Sequence, residues 1–181
     1  MVEPVLTGND IAVLLGFLAA AITLAGFAGI VTSVDRSTAQ ATSVVIAFRI
    51  RNMVLAAFYM AFLSLLPITI DAFEIFPSTV WQFCCMAAAI GIAWMIFTAF
   101  SQRMRMTRTS SQGLSPSLFV TLQLMAYTAI ALDLAAAAGI IVAKGAFFAS
   151  LCQLLFVMLS LFYRMILVVD QAAQAKSEDA N

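Results

Sequence analysis

Residues 11–33 read IAVLLGFLAAAITLAGFAGIVTS, twenty-three residues without one charge. At about 1.5 Å of rise per residue, a helix of this length crosses a hydrocarbon core about 30 Å thick. The ten residues before it carry Glu3 and Asp10 and no Lys or Arg, whereas a cleaved secretory signal has a positive n-region and a shorter apolar stretch. The run therefore reads as a signal-anchor behind a short N-terminal tail, residues 1–10.

Further apolar runs follow at residues 52–70 and 80–100. The stretch 118–169 is too long for one crossing, and Lys144-Gly145 is its predicted break, giving helices over 118–143 and 146–169. The expectation is an all-α integral membrane protein, a single domain built as a bundle of five transmembrane helices, with a disordered polar tail over 171–181. Composition agrees. Of 181 residues, 64% are hydrophobic and 10% charged, against roughly 45–50% and 25% in soluble chains. A soluble fold of this size has too little interior to hide that much apolar surface.

Charge placement sets the orientation. Arg36, Arg49, Arg51, Arg103, Arg105, Arg108, Arg164 and Lys176 all fall on one side of the predicted bundle, and only Lys144 falls on the other. Glu3, Asp10, Asp71 and Glu74 lie opposite the arginines. Basic residues concentrate on the cytoplasmic side, which puts the N-terminus outside and the C-terminus in the cytoplasm. Trp81 and Tyr163 then fall near the outer and inner interfaces, where amphipathic rings collect. Arg164 lies a turn inside the last apolar run and can snorkel to the headgroups. Residues 36–51 read as an interfacial helix or as an extension of the second transmembrane helix. Their arginines mark the cytoplasmic edge or, alternatively, an anionic-lipid site.

Net charge is zero, so no bulk field attracts nucleic acid. There is no histidine, which removes His-ligated haem, the usual zinc sites and Ser–His or Cys–His hydrolysis. No cofactor, metal site or catalytic residue is predicted, and the chain reads as a non-enzyme. Cys84, Cys85 and Cys152 sit in apolar runs and are expected to be buried, inert thiols. No internal repeat stands out, and an odd helix count disfavours a complete inverted-repeat transporter within one chain.

Residues 11–70 carry a resemblance. Gly26-Phe27-Ala28-Gly29-Ile30-Val31 ends the first helix before Asp35-Arg36; Arg49-Ile50-Arg51-Asn52 opens the second, and Leu65-Leu66-Pro67 stands near its end. The pattern resembles a group of small bacterial multi-pass membrane proteins without an assigned activity. The resemblance implies a bacterial inner membrane and a helical bundle.

Two features invite a functional reading. Ala21, Ala25, Gly29 and Ser33 recur every fourth residue, a spacing that lets helix backbones approach closely. This face packs either within the chain or against a second copy or partner subunit. Shorter ladders occur at Ala131, Ala135 and Gly139, and at Ala87 and Gly91. Pro67 is either a helix terminus or a hinge.

Asp133 is the costly residue, near the middle of the predicted fourth helix. A carboxyl at a helix centre has an apparent insertion cost of roughly 2.5–3.5 kcal/mol. Ala126, Ala129, Ala136 and Ala137 share its face, which points to another helix and not to lipid. Ser64 and Gln153 are its candidate partners. Arg164 lies roughly 12 Å deeper by helical rise, too far for a direct pair. Desolvation without a cation disfavours the charged form. Asp133 is therefore either a neutral carboxyl tying helices together or a proton- or cation-coupling group. The leading expectation is an accessory, regulatory or scaffold subunit; the alternative is a small transporter or channel.

The orientation is directly testable. A reporter active only in the cytoplasm should work when fused after Arg108 or at Asn181 and fail near Glu74 or Lys144. The opposite pattern would overturn the charge argument.

Overall fold

The computed structural model describes residues 6–35, 43–73, 79–106 and 116–178. They form five helices: α1 (Gly8–Asp35), α2 (Ser43–Ala72), α3 (Val80–Met106), α4 (Pro116–Ala137) and α5 (Ala143–Glu178). Each contains a segment long and apolar enough to cross a membrane: Gly8–Ile30, Ile50–Ala72, Val80–Ser101, Val120–Ala137 and Ala143–Tyr163.

The helix ends follow from local chemistry. Thr7 caps α1: its hydroxyl accepts from the Asp10 N–H at 3.3 Å, and the Asp10 carboxylate accepts from the Thr7 N–H at 2.9 Å. This reciprocal capping box satisfies two donors that a helix start otherwise leaves open. The predicted N-terminal tail is thus already structured from Leu6, whose side chain is buried. Pro116 opens α4 at a position where its missing N–H costs nothing.

The fourth helix ends earlier than predicted. Gly139 takes φ +76°, a left-handed conformation that suits glycine. Ile140 N–H donates to Ala135 C=O at 2.9 Å, and Gly139 N–H to Ala136 C=O at 3.0 Å. This paired closure is a Schellman motif, which satisfies the last carbonyls of α4. The turn therefore sits at residues 138–142. Lys144 and Gly145, the predicted break, belong to the first turn of α5.

Three other boundaries move. Residues 43–51 continue α2 without a break, so the extension holds there and no separate interfacial helix forms; residues 36–42 lie outside the described residues. Pro67 is inside α2, which runs on to Ala72, so it is not the terminus. The ring removes one helical N–H and leaves the Leu63 carbonyl without its usual donor. Residues 171–178, expected to be disordered, continue α5, as their Ala, Gln and Lys content favours.

α5 touches all four other helices, while α1 packs chiefly on α2 and α3 on α4. The buried side chains of α5 recur at helical spacing: Phe147, Leu151, Leu154, Met158 and Leu161. Those they meet include many small residues, among them Ala21, Ala28, Ala56, Ala88, Ala129 and Ala136. Large side chains point outward instead, including Phe58, Phe83, Ile90, Trp94 and Phe97. This distribution suits lipid, whose tails are as apolar as leucine, so that close packing of small residues drives helix association.

Among the described glycines, the close approach is at Gly91, between α2 and α3. A Cβ on Gly91 would overlap the Tyr59 ring, and the Tyr59 hydroxyl donates to the Ala87 carbonyl. The short Ala87–Gly91 ladder is thus a true close contact. The longer α1 ladder is divided. Ala21 is buried and Ala25 packs against the core, but Gly29 is exposed and no heavy atom lies within 4 Å of where its Cβ would stand. Ser33 is helical, with its side chain outside the described set.

Gly91→Ala should lower stability by about 1–3 kcal/mol through overpacking, and Tyr59→Leu in the same chain should relieve it. Gly29→Leu, which a continuous ladder would make disruptive, should stay within about 0.5 kcal/mol of the parent. Thermal unfolding in mild detergent checks all three.

Candidate functional site

The starts of α1, α3 and α5 meet at one end of the bundle. Asp10 pairs with Lys144 there, its two carboxylate oxygens lying 2.7 and 2.8 Å from the Lys144 ammonium. The same carboxylate accepts from the Thr7 hydroxyl at 2.7 Å. Lys144 also sits over the Trp81 ring, 5.8 Å from its centroid, within cation–π range. Trp81 in turn packs against Phe147 and Phe148 at 5.9 and 5.8 Å between centroids. The sequence reading counted Asp10 and Lys144 as separate charges. The available signal was their opposite signs at one end of the predicted bundle, where the charge count expects no base but Lys144.

Asp133 lies one layer in. It is fully buried on α4. Because α4 ends at Ala137, the carboxyl stands four residues from the helix end, about 6 Å by rise, and not near the helix middle. Its Oδ2 accepts from the Ser150 hydroxyl on α5 at 2.6 Å. Both groups lie near the turn at 138–142: Asp133 is four residues before the end of α4 at Ala137, and Ser150 seven after the start of α5 at Ala143. A break at Lys144-Gly145 instead leaves Asp133 ten residues from the end of its helix and Ser150 four from the start of the next, too different in depth to suggest the pair.

The predicted partners do other things. Ser64 is buried, and its hydroxyl donates to Met60 C=O of its own helix at 2.8 Å. Gln153 is half-buried on α5, one turn further along than Ser150. Cys85 on α3 lies beside the Asp133 carboxyl, and Tyr59 on α2 is within electrostatic range. The Cys85 thiol is placed to donate to Ala143 C=O at 3.2 Å. Asp133 Oδ1 is left buried with no hydrogen-bond partner.

Comparison with known protein families, characterised proteins and solved structures returns no match. Among the described residues no three His, Cys, Asp or Glu side chains converge as metal ligands would. Cys84 and Cys85 are buried, but Cys152 is exposed, contrary to the expectation for all three. Of the predicted basic edge, Arg51 is exposed on α2; Arg49, Arg103, Arg105 and Arg164 lie on helices with side chains outside the described set, and Arg36 and Arg108 lie outside it altogether.

The Asp10–Lys144 pair is asymmetric. Lys144 is 40% exposed, so its truncation to Met should cost about 1 kcal/mol or less. Asp10→Ala removes the same pair and the capping contacts, and should cost about 1 kcal/mol more. Equal losses in thermal unfolding would show that the capping box contributes nothing.

Proposed function

We propose that the protein is a non-enzymatic accessory, regulatory or scaffold subunit of a bacterial inner membrane, with its N-terminus outside and its C-terminus in the cytoplasm. One observation carries this reading: buried and half-buried polar side chains that reach across the bundle are used as ties between helices. Asp133 binds Ser150 across α4 and α5, Tyr59 binds Ala87 across α2 and α3, and Cys85 binds Ala143 across α3 and α5. The five candidate spans also occupy most of the described chain, which leaves little of it outside a bilayer to form a soluble active site.

A subunit of this kind needs a face for its partner. On α1, Gly16, Gly26 and Gly29 are exposed, and a Cβ at any of them would meet no heavy atom within 4 Å. Small outward residues allow a helix from a second copy or another membrane protein to pack closely. The orientation rests on the distribution of Lys and Arg, and the bacterial inner membrane on the resemblance over residues 11–70. The second reading, a small transporter or channel, is favoured by one observation only: Asp133 Oδ1 has no partner.

Two variants separate the readings. Asp133→Asn keeps shape and hydrogen bonding but cannot release a proton; Asp133→Leu removes both. A structural tie predicts a parent-like Tm for Asn. It predicts a modest fall for Leu, since such membrane hydrogen bonds average about 0.6 kcal/mol. Proteoliposomes should hold a pH gradient as well as empty vesicles do. Proton flux in the parent that disappears in a folded Asn variant would overturn the scaffold reading in favour of transport.

A further inference from the structure

Asp133 Oδ1 is a buried oxygen without a partner, attached to a fully buried carboxyl. An ionised carboxylate accepts at both oxygens and is costly to bury unless paired. Every element packed around it offers neutral groups. α5 supplies the Ser150 hydroxyl, α3 the Cys85 thiol with Cys84 beside it, and α2 the Tyr59 phenol. The nearest cation at that end, Lys144, is held by Asp10 of α1. The smallest species that neutralises such a carboxyl is a proton on its open oxygen. A sodium ion would need several oxygen ligands; besides the carboxyl itself the Ser150 hydroxyl is bonded there, the Tyr59 hydroxyl is engaged with the Ala87 carbonyl, and the thiols supply none.

We propose that Asp133 Oδ1 is an exchangeable proton-binding site, loaded from the Lys144 end of the bundle, and that the Cys85 thiol reports its occupancy. The route is short: four residues of α4 separate Asp133 from the helix end. Loading forms one O–H bond with a proton from water and leaves the carboxyl neutral; unloading returns that proton to the same water.

Cys85 couples this event to packing. A thiol has one hydrogen, and Cys85 lies between two acceptors, the Ala143 carbonyl at 3.2 Å and the Asp133 carboxyl. With Asp133 neutral, the S–H donates to Ala143 and ties α3 to the start of α5. With Asp133 ionised, the charge is the stronger acceptor, the S–H turns to it, and the α3–α5 tie is released. The site needs one loading face, whereas transport needs two, so it stands whether or not the protein moves protons.

Infrared difference spectroscopy of the full chain in lipid nanodiscs tests this across the pH range in which the fold survives. A protonated-carboxyl C=O band should be present at acidic pH and disappear on raising the pH. It should be absent in Asp133→Asn and move to higher frequency in Ser150→Ala. The S–H band that Cys85→Ala removes should shift together with it, and should be independent of pH in Asp133→Asn. If Asp133→Asn fails to fold, carbon-13 labelling of aspartate assigns the band to an aspartate, and its shift in Ser150→Ala separates Asp133 from the five others. A carboxyl band that persists at every pH overturns the proposal, because the proton does not exchange. A band removed at constant pH by sodium but not by choline overturns it in favour of a metal-cation site. An S–H band indifferent to the carboxyl removes the coupling.

Discussion

A left-handed residue at Gly139 sets the register on which the polar interior depends. An L side chain is strained in that conformation, so the turn falls at the glycine and not at the charged residue five positions later. Once α4 stops at Ala137 and α5 begins at Ala143, Asp133 and Ser150 differ by less than a turn in depth, and the hydroxyl reaches the carboxylate. The same start of α5 places the Ala143 carbonyl where Cys85 of α3 reaches it, and Lys144 where Asp10 of α1 reaches it. One turn thereby positions three helices against α5, the helix that touches all the others.

Packing between the helices relies on size more than on hydrophobicity. In a bilayer, outward phenylalanines gain as much from lipid as inward ones would gain from protein, so burial of large side chains does not by itself bring helices together. Alanine and glycine at the contacts let backbones come close enough for dispersion to matter. The Tyr59 ring over Gly91 shows the limiting case, because the ring occupies the volume in which any other side chain would begin. Its hydroxyl then reaches the Ala87 carbonyl, so one residue supplies both the fill and the tie between α2 and α3.

The five helices were legible because charge-free runs of about twenty residues have few alternatives. Asp133 was legible as a residue that must face protein, since its neighbours on α4 are alanines. What could not be read were features set by backbone dihedrals and register. Gly139 lies inside an unbroken apolar run, and hydropathy does not register a left-handed residue. Lys144 next to Gly145 is the more visible interruption, and a turn placed there also moves the expected partner of Asp133 away from Ser150. Pro67 misled similarly: with the rest of α2 anchored by packing, the helix tolerates one missing bond and continues to Ala72. Asp10 and Lys144 are 134 residues apart, and no local pattern joins them.

The polar interior is confined to one end. Among the described residues the buried polar side chains are Asp10, Ser64, Asp133 and Ser150. Each lies within about 12 Å of the Lys144 end by helical rise. Toward the Arg51 end the buried side chains are apolar: Leu24 and Ala28 of α1, Met53 and Ala57 of α2, Ile92 of α3, Met158 and Leu161 of α5. A proton entering at Lys144 meets Asp133 about a turn of helix in, but beyond Ser150 on α5 it meets Leu151, Leu154 and Met158, and the polar side chain among them, Gln153, is only half-buried and carries no titratable group. Each further step would put charge into hydrocarbon without a partner, which is the expensive case. Binding at one end is therefore what this distribution of groups supports, and passage through the bundle would require a rearrangement that brings water or a second polar group into the Met158 layer.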